Sequence, residues 1–115
     1  MSVYQHDKVK MEVEDMFTSR LQNEQTDNLA RAFLALESME DCYRLFEDLF
    51  TIREIQDLSQ RLEVAQMLRS QATYTEIVEK TGVSTATIGR VNRALNYGAG
   101  GYQRVLDKAK GNTDK

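Results

Sequence analysis

The sequence predicts an all-α protein that contains a helix-turn-helix. Three observations support this prediction. The 115 residues are rich in helix-forming residues and include no proline that would interrupt a helix. Apolar residues recur at spacings of three and four along most of the chain. Residues 73–95 carry the caps and the turn of two short helices. The length suits a single domain.

The helix-turn-helix pattern lies in TYTEIVEKTGVSTATIGRVNRAL, residues 73–95. Thr73 followed by Glu76 is the pattern of a capping box, in which each side chain bonds a backbone amide of the other residue. Gly82 stands where the chain must turn sharply, and glycine accepts left-handed backbone without a steric cost. Ser84 offers an oxygen to the free amides at the start of the second helix.

The second helix, predicted over residues 85–95, has an apolar side and a polar side. Ile88, Val91 and Leu95 fall on one stripe and are expected to pack inside. The other side combines small residues with two arginines. Small side chains let a helix approach the DNA major groove, and guanidinium groups bond guanine or phosphate in a fork. The residues predicted to contact bases or phosphates are Thr73, Tyr74, Thr75, Ser84, Thr85, Ala86, Thr87, Gly89, Arg90 and Arg93.

Two other classes of function compete with DNA binding. Helices joined by a glycine turn also occur in domains that bind no nucleic acid, so the alternative is a protein–protein interaction or dimerisation module. Duplex affinity that is absent, or that does not change with salt, would favour that alternative. An enzyme is not expected, because the sequence offers no nucleophile–base set, no metal-ligand cluster and no phosphate-binding glycine loop. No cofactor or metal is predicted.

The charge of the chain is divided unevenly. Residues 1–60 contain 6 Lys/Arg and 13 Asp/Glu, a net charge of −7, whereas residues 61–115 contain 9 and 5, a net charge of +4. The basic half is expected to face phosphate and the acidic half to face away from it. Arg61, Arg69 and Lys80 are candidates for phosphate contacts, and each is equally well explained as a solvated surface charge.

The remaining helices follow from apolar spacing and cap residues. Residues 1–27 are predicted to be an acidic helical arm, residues 28–110 the main helical domain and residues 111–115 a polar tail. The predicted helices are Val3 to about Asn23, Asn28 to Leu36, one from about Ser38, Thr51 to about Ser70, and Tyr102 to about Lys110, with a break at residues 23–27. Cys42 lies beside apolar positions and is expected to be a buried thiol. Thr51 followed by Glu54 is a second capping-box pattern. The helix that it opens has a predicted apolar seam of Ile55, Leu58, Leu62, Ala65 and Leu68.

The N-terminal half carries more apolar surface than a chain of this size is expected to bury. Phe33, Tyr43, Phe46 and Phe50 lie there with several leucines. Ordinary core packing is the simplest explanation of this surface. The more specific hypothesis is that two chains share part of this core. Helix-turn-helix proteins usually read two half-sites with two-fold symmetry, so a homodimer is predicted. No membrane span or signal peptide is recognisable, which predicts a cytoplasmic protein.

Two blocks of the sequence resemble the Trp-repressor-like proteins of the YerC/YecD type. They are CYRLFEDLFTIREIQDLSQRLEVAQML, residues 42–68, and STATIGRVNRALNYG, residues 84–98. The resemblance covers about residues 28–110. It implies an all-α fold of about six helices. It further implies an intertwined homodimer whose N-terminal helices interlock across a two-fold axis and whose helix-turn-helix units project as two reading heads. It also implies a transcriptional regulator, and specifically a repressor of a palindromic operator.

The resemblance also implies a candidate effector pocket formed by Arg61, Arg90, Val91 and Ala94. In the tryptophan-binding relatives an arginine on the long helix and another on the recognition helix grip the corepressor. Arg61 and Arg90 match these two arginines. Val91 stands where those relatives have a glycine that makes room for the indole, and Ala94 stands where they have a serine. Overpacking and the loss of a polar partner both disfavour tryptophan, and the existence of another effector stays open.

Overall fold

The computed structural model describes the backbone of residues 17–113 and the side chains of residues 17–109. Six helices and no strand occur in this part of the chain, which confirms the predicted all-α class. The helices are α1 Glu24–Leu34, α2 Met39–Leu49, α3 Ile52–Arg69, α4 Tyr74–Thr81, α5 Thr85–Tyr97 and α6 Gly101–Thr113. None of the helices described is long and apolar enough to cross a bilayer.

The start of α1 corrects the prediction of a break at residues 23–27. The side chain of Asn23 accepts a hydrogen bond from the amide of Thr26 at 2.8 Å, so this polar stretch begins a helix rather than separating two. Glu24 and Asp27 lie in the first turn, where carboxylates favour the positive end of the helix dipole. The polar stretch that predicts a break is therefore the cap and first turn of α1.

The predicted N-terminal helix can be compared with the structure only over its last residues. Residues 17–23 are not helical and include a turn at Arg20 and Leu21, so the predicted end of this helix at Asn23 is wrong. The Ser19 hydroxyl accepts a hydrogen bond from the amide of Leu21. Such a local bond competes with helix formation. Residues 1–16 lie outside the described part of the chain.

The chain divides into two compact units, residues 1–42 and 43–115. Helix α1, in the first unit, buries no residue although its apolar positions are clearly one-sided. Helix α2 begins beside Ser38, whose hydroxyl accepts from the amide of Asp41 at 3.0 Å, and it also buries no residue. Cys42, expected to be a buried thiol, is only half-buried.

The second unit contains the hydrophobic core, to which α3, α4, α5 and α6 all contribute. Its buried members are Val64, Ala65, Ile77, Ile88, Val91, Leu95 and Leu106. The long helix α3 begins with the predicted capping box, since Thr51 and Glu54 each bond the other's backbone amide. The predicted seam of α3 is wrong at Leu58 and Leu62, which are exposed. Only the C-terminal half of α3 faces the core, because α4–α6 cover no more of it.

Helix α3 ends in a left-handed residue that is not glycine. Gln71 has a φ of 67°, and the amide of Ala72 donates to the carbonyl of Met67 at 3.0 Å. Both features are typical of a Schellman ending, where glycine is the usual residue. This tight reversal brings Thr73 into position to cap α4.

Candidate nucleic-acid interface

The turn between α4 and α5 has the geometry that the sequence predicts. Thr73 accepts from the amide of Glu76 at 3.1 Å, and the Glu76 carboxylate accepts from the amide of Thr73 at 2.7 Å. Gly82 is left-handed, with a φ of 76°, and its amide donates to the carbonyl of Val78. Val83 is half-buried and packs against the core. The two helices therefore form a helix-turn-helix.

Helix α5 presents one face to the core and the other to solvent. Ile88, Val91 and Leu95 are buried as predicted. The Ser84 hydroxyl caps the helix by accepting from the amide of Thr87 at 3.1 Å. The helix ends at Tyr97, two residues beyond the prediction. Because the buried stripe fixes which side faces inward, the polar side is directed outward.

The residues predicted to contact DNA all lie on α4, on α5 or at their caps, and they are accessible. Thr87 and Gly89 are half-buried and the other eight are exposed, namely Thr73, Tyr74, Thr75, Ser84, Thr85, Ala86, Arg90 and Arg93. The hydroxyl oxygens of Thr73 and Ser84 already accept from helix amides. Both residues therefore cap their helices, whether or not they also contact phosphate.

Gly89 has no structural reason to be glycine. A Cβ built at this position would meet nothing within 4 Å, and residue 89 lies in the middle of α5, where glycine costs about 1 kcal/mol relative to alanine. A helix tolerates that cost when something outside the chain must approach its backbone closely. The backbone of α5 is therefore open on the side where a Cβ of residue 89 would stand.

The basic side chains near the helix-turn-helix fall into two groups. Arg69 bonds Asp107 at 2.6 Å and Lys80 bonds Glu63 at 3.3 Å, so these two cations are partly neutralised inside the unit. Arg61, Arg90 and Arg93 form no ion pair with any described residue. Arg90 donates to the Thr87 hydroxyl at 3.4 Å. The cationic groups without a carboxylate partner thus include both arginines of α5.

A half-open cleft of about 620 Å³ brings the four predicted pocket residues together. Its wall also includes residues that the sequence reasoning missed. The full lining is Asp57, Gln60, Arg61, Val83, Thr87, Arg90, Val91, Ala94 and Tyr102. Asp57 lies four residues before Arg61, so the helical repeat could have indicated a shared face. Val91 is 3% exposed and forms part of the wall, and open volume remains beside it.

No group of three or more potential metal ligands occurs among the described residues. The only cysteine of the chain, Cys42, is a free thiol on α2. The polar side-chain groups that line the cleft are guanidinium, carboxylate, amide and hydroxyl groups.

Helices α3–α6 share one core and expose the outer face of the second helix of a helix-turn-helix. This arrangement defines the class of helix-turn-helix proteins. The family model of the Trp repressor protein matches residues 24–110. The chain therefore belongs to the Trp repressor family.

Individual relatives agree with this assignment. The uncharacterized protein YerC of Bacillus subtilis (strain 168) is 52% identical over 95 residues, which are 83% of this chain and 91% of that protein. The crystal structure of a TrpR-like protein from Eubacterium eligens matches with a TM-score of 0.76 and 50% identity, covering 81% of this chain and 96% of that one. A candidate Trp repressor from Staphylococcus aureus matches with a TM-score of 0.75 and 44% identity, covering 88% and 96%.

Proposed function

We propose that this protein is a sequence-specific DNA-binding regulator, a repressor, that reads a palindromic operator through α5. The observation that carries the proposal is the outward face of α5. Small residues and two arginines are exposed there, opposite a stripe that is buried in the core. Arg90 and Arg93 are the candidates for base and phosphate contacts, because an arginine can bond guanine or phosphate through two parallel hydrogen bonds.

The caps of α4 and α5 support the same proposal. Each helix begins with a hydroxyl residue, Thr73 or Ser84, and its first turn is exposed. Backbone amides at a helix N-terminus favour an anion such as phosphate. Tyr74, Thr75, Thr85 and Ala86 lie in these first turns, so phosphate contacts there would set the register in which Arg90 meets the bases.

We also propose that the protein acts as a homodimer joined through α1 and α2. These two helices bury none of their residues. The large apolar side chains exposed in α1 and α2 are Leu29, Phe33, Leu34, Met39, Tyr43 and Leu49. A second copy of the chain would remove such a surface from water. Two copies would also place two reading helices on half-sites about 34–36 Å apart.

The cleft is the proposed place of action for any small-molecule effector. Arg61 and Arg90 face it together with Val91 and Ala94. Tryptophan is not the proposed ligand, because the branched Val91 replaces a glycine and Ala94 cannot accept or donate a side-chain hydrogen bond. Arg90 lines the cleft and is also exposed on α5, so it remains available to DNA when the cleft is empty.

Selection of bound duplexes from a random DNA pool tests the proposed function. We expect a palindrome with half-sites one helical turn apart, bound more weakly as salt rises. Arg90→Ala should weaken binding to that site by about 1–3 kcal/mol and relax its sequence preference. Added tryptophan should change neither. If no duplex is enriched, with or without cell extract, the interaction-module alternative becomes the better explanation.

Gly89→Ala should move stability and DNA affinity in opposite directions. The added Cβ meets open space in the protein, so a helix-favouring alanine is expected to stabilise the fold by up to about 1 kcal/mol. The same methyl group would stand between α5 and the groove and lower the affinity for the selected duplex. Thermal unfolding and duplex titration measure the two effects, with Ala86→Gly as the reverse substitution. Unchanged affinity would remove Gly89 from the interface.

A further inference from the structure

A side chain outside α5 holds the turn that leads into the helix, and another holds its C-terminal end. We infer that Thr81 and Gln103 are positioning residues that fix the orientation in which α5 meets DNA. Neither residue is among those predicted to touch DNA, and nothing in the sequence pattern singles them out. The inference rests on the proposed function, because it explains how that function obtains a rigid reading helix.

Thr81 holds the turn that leads into α5 through two hydrogen bonds of its hydroxyl. Its Oγ1 donates to the carbonyl of Ile77 at 2.7 Å and accepts from the amide of Val83 at 3.2 Å. The first bond fixes the hydroxyl against α4, and the second satisfies a half-buried amide in the turn. Gly82 supplies the left-handed conformation between them. Gly82 permits the turn, whereas Thr81 fixes the position of Val83, the residue that follows the turn.

Gln103 holds the C-terminal end of α5. Its Nε2 donates to the carbonyl of Leu95 at 3.1 Å. That carbonyl lies in the last turn of α5, where carbonyl groups have no amide partner within the helix. Gln103 is itself anchored, because Leu106 in the same helix is buried and Asp107 bonds Arg69 of α3 at 2.6 Å. Helix α6 therefore links the end of α5 to α3.

The bond from Val83 to Thr81 and the bond from Gln103 to Leu95 restrain α5 and use only groups of this chain. Ile88 and Val91 hold the middle of the helix in the core. A helix held in its middle, at its C-terminal end and through the turn before it has little freedom to tilt. Base readout depends on helix orientation, whereas attraction to phosphate does so far less. Loss of a positioning bond should therefore reduce specific binding more than non-specific binding.

The test compares variants by the ratio of their affinities for the selected duplex and for a scrambled duplex. Thr81→Val keeps the shape of the side chain and removes the hydroxyl, and Gln103→Met keeps its length and removes the donor. Gln103→Met removes one hydrogen bond and should lower the ratio about fivefold. Thr81→Val removes two and should lower the ratio at least about fivefold. Thr81→Ser should retain the ratio because it retains the hydroxyl. Gln66→Met, on the exposed side of α3, is the surface control.

Amide hydrogen exchange gives a second readout that does not depend on DNA. The Val83 amide should exchange faster in Thr81→Val than in the wild type or in Thr81→Ser. A ratio that stays constant while thermal stability falls would overturn the positioning role and leave a structural one. If the wild type enriches no duplex, the proposed function fails, and exchange at Val83 still decides whether Thr81 holds the turn. Unchanged exchange in Thr81→Val would overturn the inference independently.

Discussion

Replacing Ile88 by alanine should lower the free energy of unfolding by about 2–5 kcal/mol. The Ile88 side chain is 0% exposed, and α5 packs against α3, α4 and α6. Truncation therefore removes apolar area from the core and leaves a cavity that three neighbouring helices would have to shift to fill. Urea unfolding followed by circular dichroism measures the loss.

Val105→Ala provides the control for this substitution. Val105 lies on α6 and is 56% exposed, so its truncation should change the free energy of unfolding by less than about 0.5 kcal/mol. At a temperature where Ile88→Ala remains folded, the variant should select the same DNA sequence, because Ile88 faces away from the reading surface. A loss below about 1 kcal/mol for Ile88→Ala would show that the core relaxes around the truncation.

Leu29→Glu should weaken the proposed homodimer at least about 30-fold, which corresponds to about 2 kcal/mol. Leu29 is a large apolar residue of α1 and is 44% exposed in the single chain. If a second copy covers it, the new carboxylate must lose its water without gaining a partner. Analytical ultracentrifugation over a range of protein concentrations measures the dissociation constant. Affinity for the full palindrome should fall in parallel, since two half-sites no longer act together.

Arg31→Glu places the same carboxylate on the other side of α1, two residues further on and about 200° round the helix. Arg31 is exposed and bonds Asn28 through its guanidinium, and it lies off the apolar stripe. Its substitution should leave the dissociation constant nearly unchanged, although it changes the net charge by more than Leu29→Glu does. Equal weakening by both variants would indicate general repulsion between acidic chains instead of a specific apolar contact.

The elements that the sequence predicts best are those set by neighbouring residues. The capping boxes at Thr51 and Thr73 are found as predicted, and so is the left-handed turn at Gly82. In these cases donor and acceptor are at most four residues apart, so the pattern contains the whole interaction. The buried stripe of α5 was also predictable, because it combines a helical repeat with a fixed starting point at Ser84.

The errors arise where a residue's surroundings come from elsewhere in the chain. Leu58 and Leu62 lie on a plausible apolar seam yet are exposed, because a helical repeat shows which residues share a face and not whether another helix covers it. Gln71 was not recognised as a left-handed residue, since glycine normally occupies that position. Thr81 and Gln103 were missed because their partners depend on the path of the turn and on the placement of α6.

The candidate pocket shows the same division. Arg61, Arg90, Val91 and Ala94 were found through the family resemblance, and the structure places all four in one cleft. Asp57, Gln60 and Tyr102 also line that cleft, but the first two lie at least 25 residues before α5 and the third lies in the helix after it. Only the packing of α3 and α6 against α5 brings them there, and no local pattern encodes that packing.

The order of events during folding follows from the location of the core. Its buried members run from Val64 to Leu106, one continuous stretch to which α1 and α2 contribute nothing. Helical units whose contacts join near neighbours in sequence fold within microseconds to milliseconds, and this phase requires only one molecule. In the proposed homodimer, the meeting of two chains through α1 and α2 is a second-order step whose rate rises with concentration. A newly made chain would then complete the core that holds α5 before it pairs with a second copy.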